Sequence, residues 1–149
     1  MKATKSKTRS AARLAAVQAL YQQEMEGTPL PVLLHEFHHH RLGATIEDVT
    51  YHPAEQPFFD DVVKGVDARS EEIDGHIMSR LAKGWSMERL DKPMRQILRA
   101  GTYELLARAD VPTASVISEY VDVAHAFYDK REAGFVNGLL DAIAKVVRS

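Results

Sequence analysis

No cysteine occurs in the chain, which excludes disulfides, thiolate metal sites and cysteine nucleophiles and fits a reducing cytosol. No apolar run approaches the roughly 18 residues needed to cross a bilayer. There is also no glycine-rich phosphate loop, no GxSxG elbow and no HExxH pair, so no familiar nucleophilic or metalloprotease centre can be traced. Asp60-Asp61 and Glu71-Glu72 are paired carboxylates, but solvated charge at helix starts accounts for them better than acid-base work. Nothing in the composition argues for an enzyme.

Acid is missing from the N-terminus as well. Lys2, Lys5, Lys7, Arg9 and Arg13 all precede the first carboxylate, Glu24. The whole chain carries 19 Lys and Arg against 21 Asp and Glu, a formal charge of −2; beyond the arm, 14 cations face all 21 acids, a net of −7. A basic arm on an acidic body suits a polyanion, either nucleic acid or an anionic membrane surface. A solvated, frayed terminus is the plain alternative, and an organelle presequence, Arg- and Ser-containing and acid-free, is another.

At 149 residues the chain is expected to form one domain, residues 1–149, that buries roughly two-thirds of its unfolded surface, with residues 1–8 as a flexible basic arm. Leu14, Val17, Tyr21 and Met25 share a narrow helical arc, and Gly27 stands where a helix would stop, so a helix is predicted over 8–26. Thr28-Pro29 opens a second, to about residue 41. Residues 42–56 hold Gly43, Pro53 and scattered β-branched residues without a period, which predicts one long irregular loop.

Helical stripes return at 58–66 and 71–81, followed by a short turn at 86–90. A strong helix then opens at Asp91 and Pro93 and runs to about Leu106. Gly101 lies on its apolar face, where close approach of a neighbouring helix would justify the roughly 1 kcal/mol a mid-helix glycine costs. Stripes over 116–128 and 135–147 complete the pattern, and no strand of convincing alternation is present. The fold class is all-α, with about seven helices.

Two groups of side chains invite chemistry. His35, His38, His39 and His40, with His52 beyond, include an i, i+4 pair at metal-ligand reach. A catalytic metal would need a third ligand from the loop, so a polar helix end with fortuitous affinity for divalent ions is the simpler expectation. The arm offers more. On a helix Arg9 and Arg13 lie one turn, about 6 Å, apart on one side, comparable to successive phosphates of a nucleic-acid strand. Specific RNA binding would further need aromatics to stack on bases, for which Tyr21 and Phe135 are candidates, although aromatics at helical spacing also serve cores.

AVQALY at 16–21 behind this arm, ILRAGTYEL at 97–105 and FVNGLLD at 135–141 together resemble the NusB family, in its order and approximate spacing. Residues 42–56 match nothing in the pattern. The resemblance implies two packed helical subdomains and an RNA-binding transcription antitermination factor in the cytoplasm. Such a factor pairs with the ribosomal protein NusE on boxA-type RNA of ribosomal leaders, within the RNA polymerase antitermination complex, and needs no cofactor or metal. It places the family's basic patch on Lys5, Lys7, Arg9 and Arg13, its first-helix tyrosine on Tyr21, its FVNG phenylalanine on Phe135 and an acid near the RNA on Glu88. Asn137 is then expected to satisfy backbone groups, and Gly138 to allow close helix approach.

The loop expected before Phe135 departs from the family by carrying Lys130 and Arg131 in place of acidic residues, which suggests a phosphate contact. The same domain resembles the N-terminal module of an rRNA cytosine methyltransferase; with no α/β domain before Ser149, a free-standing factor is expected. The alternative from another class is a helical homo-oligomer, such as a homodimer, whose arm and Tyr21 face a partner protein. If Phe135 and the arm form one RNA surface, the first helix should pack beside the last.

Overall fold

A computed structural model describes residues 2–40, 45–46, 49–50 and 55–148, with the side chains of 9–39 and 55–148. Among the described residues there are seven α-helices: α1 (Lys2–Glu26), α2 (Leu30–His40), α3 (Gln56–Ala68), α4 (Ser70–Arg80), α5 (Lys92–Ala107), α6 (Thr113–His125) and α7 (Lys130–Val147). A 3-10 turn at Met87–Arg89 precedes α5. None of the described helices is long and apolar enough to cross a membrane. The chain divides into two compact units, Met1–Lys64 and Gly65–Ser149, with the boundary inside α3.

In the first unit, α1 begins at Lys2, six residues before the predicted start. Alanine and lysine are strong helix formers and nothing in residues 2–8 breaks a helix, so the basic arm is helical in its backbone. The helix stops at Gly27, whose φ of 67° is left-handed and whose N–H donates to the Gln23 carbonyl at 2.9 Å. The buried face of α1 keeps Val17 of the predicted stripe but turns away from Leu14, Tyr21 and Met25. Ala12, Arg13, Ala16, Val17 and Leu20 are buried, whereas Tyr21 and Met25 are exposed. Small side chains let neighbouring elements come close, and that shifts the buried arc onto the alanines.

Leu33, Leu34 and Phe37 of α2 are buried, as are Phe58, Phe59, Val62 and Val63 of α3. Phe37 and Phe59 stack with ring centroids 5.6 Å apart. Most of the predicted loop 42–56 lies outside the described residues, as does His52. The part that is described carries a minimal antiparallel ladder pairing Thr45 with Thr50 and Ile46 with Val49, which the sequence did not predict and which suits β-branched residues.

The second unit is built around α5, which contacts α4, α6 and α7 and is buried along most of its length. A Cβ on Gly101 would lie 2.9 Å from Leu140 Cδ1 and 3.4 Å from Tyr120 Cδ2, so the close approach predicted there is present. Gly65 does the same at the end of α3, where a Cβ would sit 2.2 Å from the Tyr103 ring. By contrast, among the described residues nothing lies within 4 Å of a Cβ on Gly138, so none of them makes the close approach expected at that residue. Inside the unit Tyr120 donates its hydroxyl to the buried Glu104 carboxylate, and Arg99 clamps Asp74 through two hydrogen bonds of 2.8 and 2.9 Å.

The C-terminus of α5 leaves carbonyls without helical partners. Arg148 supplies donors there, adding to the Arg108 N–H that the Glu104 carbonyl already accepts. Its guanidinium donates to the carbonyls of Glu104 (3.1 Å), Leu105 (2.9 Å), Arg108 (2.8 Å) and Val111 (2.7 Å), and to Thr113 Oγ1 (3.2 Å). A cation at the negative end of a helix is favourable on electrostatic grounds too.

Candidate nucleic-acid interface

The residues singled out in the sequence fall into two groups, one in each unit. In the first unit Arg9 and Arg13 do share one side of α1, as their spacing predicts, but that side faces Phe58. The guanidinium carbon of Arg9 is 4.6 Å from the Phe58 ring centroid and that of Arg13 is 4.8 Å from it. Arg13 is only 4% exposed. The expectation of two outward-facing cations therefore needs correction at Arg13, because the aromatic ring covers it.

Arg9 remains partly exposed and donates from Nε to Glu55 Oε2 at 3.1 Å and from Nη2 to Oε1 at 3.4 Å. Glu55 thus occupies the fork that a phosphate would use. Tyr21, three turns along α1, is 37% exposed. The side chains of Lys5 and Lys7 lie outside the described residues.

The histidines also sort themselves out in this unit. His35 and His39 have ring centroids 4.3 Å apart, while His38 Nε2 is 2.6 Å from Asp60 Oδ1 and ties α2 to α3. Among the described residues no group of three or more His, Cys, Asp or Glu is placed to hold a metal. The side chain of His40 lies outside them.

In the second unit the Lys130 to Gly134 segment is the first turn of α7 rather than a loop, with Glu132 suiting the positive helix N-terminus. Lys130 and Arg131 are exposed there, and Phe135, one turn on, is 41% exposed. Asn137 is exposed as well.

Arg131, Glu132 and Phe135 line a cavity of about 460 Å³, together with Trp85, Arg89, Leu90, Asp91, Met94 and Tyr128. That volume lies in the roughly 300–1,000 Å³ range of ligand clefts. Tyr128 ties part of this lining together: its hydroxyl donates to Asp91 and accepts the Met94 N–H at 3.0 Å, satisfying one of the orphan donors at the start of α5. Burial, and then the bond to Asp91, raise the phenol above its ordinary pKa, so it stays protonated.

Glu88 is exposed in the 3-10 turn beside Arg89. Its carboxylate is held below the ordinary glutamate value by a hydrogen bond from its own backbone N–H, then by one from the Ser86 hydroxyl, with Arg95 adding a favourable charge. It is an ionised acceptor at neutral pH.

Phe58, Glu55, Trp85 and Tyr128 were not foreseen as part of these groups. Trp85 carried a weak signal, as the chain's single tryptophan directly after a Lys-Gly helix stop. Glu55 and Phe58 carried none, because only the tertiary path of the chain brings them to α1.

These surfaces set aromatic rings among cations on an all-helical frame, with no metal cluster among the described residues. Comparison with known proteins gives the class a family. The model described as the NusB family matches residues 10–145, and the chain belongs to that family. It is 69% identical over 144 residues to the Transcription antitermination protein NusB of Sphingopyxis alaskensis, covering 97% of each chain. Among solved structures it is similar to T. maritima NusB, with a TM-score of 0.75 at 30% identity over 92% of this chain and 90% of that one. A structure of antitermination factors NusB and NusE in complex with dsRNA matches with a TM-score of 0.78 at 27% identity, over 93% of this chain and 97% of that one.

Proposed function

We propose that this chain is a transcription antitermination factor that binds boxA-type RNA of ribosomal leaders together with the ribosomal protein NusE, supporting rRNA transcription and maturation within the RNA polymerase antitermination complex. It acts as an adaptor in the cytoplasm, without catalysis and without a cofactor. The observation that carries this reading is Phe135, an exposed ring that lines the same aromatic-rich cavity as Arg131. An exposed aromatic next to a cation is what an unpaired nucleotide requires, since every base has a face to stack and every linkage a phosphate to neutralise.

The roles divide by chemistry. Lys5 and Lys7 on α1, and Lys130 and Arg131 on α7, hold phosphates, and Arg9 joins them by exchanging the Glu55 carboxylate for a phosphate. Tyr21 and Phe135 stack on bases. Glu88, ionised and exposed, accepts N–H groups from base edges. Arg13 acts behind the surface by bracing Phe58, against which Arg9 lies.

Fluorescence anisotropy of a labelled boxA-like RNA tests the assignment. Phe135→Ala is expected to weaken binding by about 1–3 kcal/mol, the usual worth of one stacked base, with far-UV circular dichroism unchanged. Equal affinity in the variant would contradict it.

A further inference from the structure

Trp85 is the only tryptophan in the chain, and it is 54% exposed. The turn that carries it is well built. Gly84 takes a φ of 91°, the Trp85 N–H donates to the Ala82 carbonyl at 3.0 Å, and Arg89 donates to the Gly84 carbonyl at 2.9 Å. The left-handed glycine and the arginine hold the backbone while the indole stays open. Trp85 lines the same cavity as Phe135, Tyr128 and Arg131.

We infer that this cavity takes one unpaired RNA base, stacked on the Trp85 indole, with the adjoining phosphate held by Arg131 and Arg89. The inference rests on the RNA-binding function proposed above and adds Trp85 to it as a base-contacting residue. Charge decides the occupant. An apolar side chain from a protein partner would cover the rings but would leave the Arg131 guanidinium facing hydrocarbon. A nucleotide supplies a flat ring for the indole and an anion for the arginine in one ligand. Asp91 and Glu132 line the cavity as well, so the phosphate is placed on Arg131 and Arg89, the two cations of the lining.

The lone tryptophan makes the test direct. The full chain is titrated with a labelled single-stranded boxA-like RNA, with and without NusE, following label anisotropy and tryptophan emission together. The expected result is quenching of Trp85 emission in step with binding. Trp85→Leu should bind roughly 5- to 150-fold more weakly at an unchanged salt slope, and Trp85→Phe should recover most of the loss. Binding with unchanged emission, and with equal affinity in Trp85→Leu, would overturn the cavity assignment while leaving RNA binding intact. An emission change on adding NusE alone, with no further change on adding RNA, would assign the cavity to the protein partner and overturn it too. Absence of any RNA binding would overturn both this inference and the function on which it rests.

Discussion

Arg9 and Arg13 are alike in the sequence and differ in the fold. Their spacing correctly puts them on one side of α1, but spacing cannot say what covers that side, and the cover is Phe58 from a helix more than forty residues away. A buried guanidinium on a ring, with its stem packed in the unit, contributes more to stability than to a phosphate contact. Arg13→Ala is therefore expected to lower unfolding stability by about 1–3 kcal/mol, and Arg9→Ala by less, because Arg9 is partly exposed. Thermal unfolding of the two single variants checks this; an Arg13 variant as stable as the parent would contradict it. Tyr128 makes the second residue-scale prediction. Its folded pKa is raised above the ordinary phenol value of about 10, so the phenol's contribution is complete below that value and is lost as the pH rises through the folded pKa. Tyr128→Phe should cost about 1 kcal/mol at neutral pH, with the difference from the parent shrinking in alkali, measured by urea unfolding across pH.

At the scale of elements, helices were the legible part. Gly27 and Pro93 mark the end of α1 and the start of α5, and the apolar stripes mark faces that recur in α5, α6 and α7, because caps and periodicity are local physics. The misses came where local signals were silent. Polar Lys130 to Gly134 read as a loop although it forms the first turn of α7, and the alanines of α1 outranked its larger apolar residues for burial. Gly101 was read correctly from its place on an apolar face, while Gly138, judged by family position, proved open. Arg148 shows an element finished by a residue forty positions downstream. Arg148→Ala should destabilise the second unit by about 1.5–3 kcal/mol, and Arg148→Lys should restore only part, because an ammonium lacks the planar fork that reaches several carbonyls. Urea unfolding of the two variants measures both values; equal stability of parent and alanine variant would remove the capping role.

Across the whole molecule, the charge split seen in the sequence now has a structural frame. The cations of α1 stand in one unit, and Lys130 and Arg131 stand at the start of α7 in the other. The residue types proposed for an RNA surface could be picked out beforehand because charge and aromaticity are sequence properties. Their neighbours, Glu55 and Phe58 in the first unit and Tyr128 in the second, could not, because each meets its own group only through tertiary packing. Titration of boxA-like RNA at two salt concentrations, with and without NusE, tests the central claim most directly. The expected result is tighter binding with NusE present, and a salt slope for the chain alone no steeper than about −3.5, from Lys5, Lys7, Arg9, Lys130 and Arg131 at roughly −0.7 each. RNA affinity that ignores both NusE and salt would contradict it.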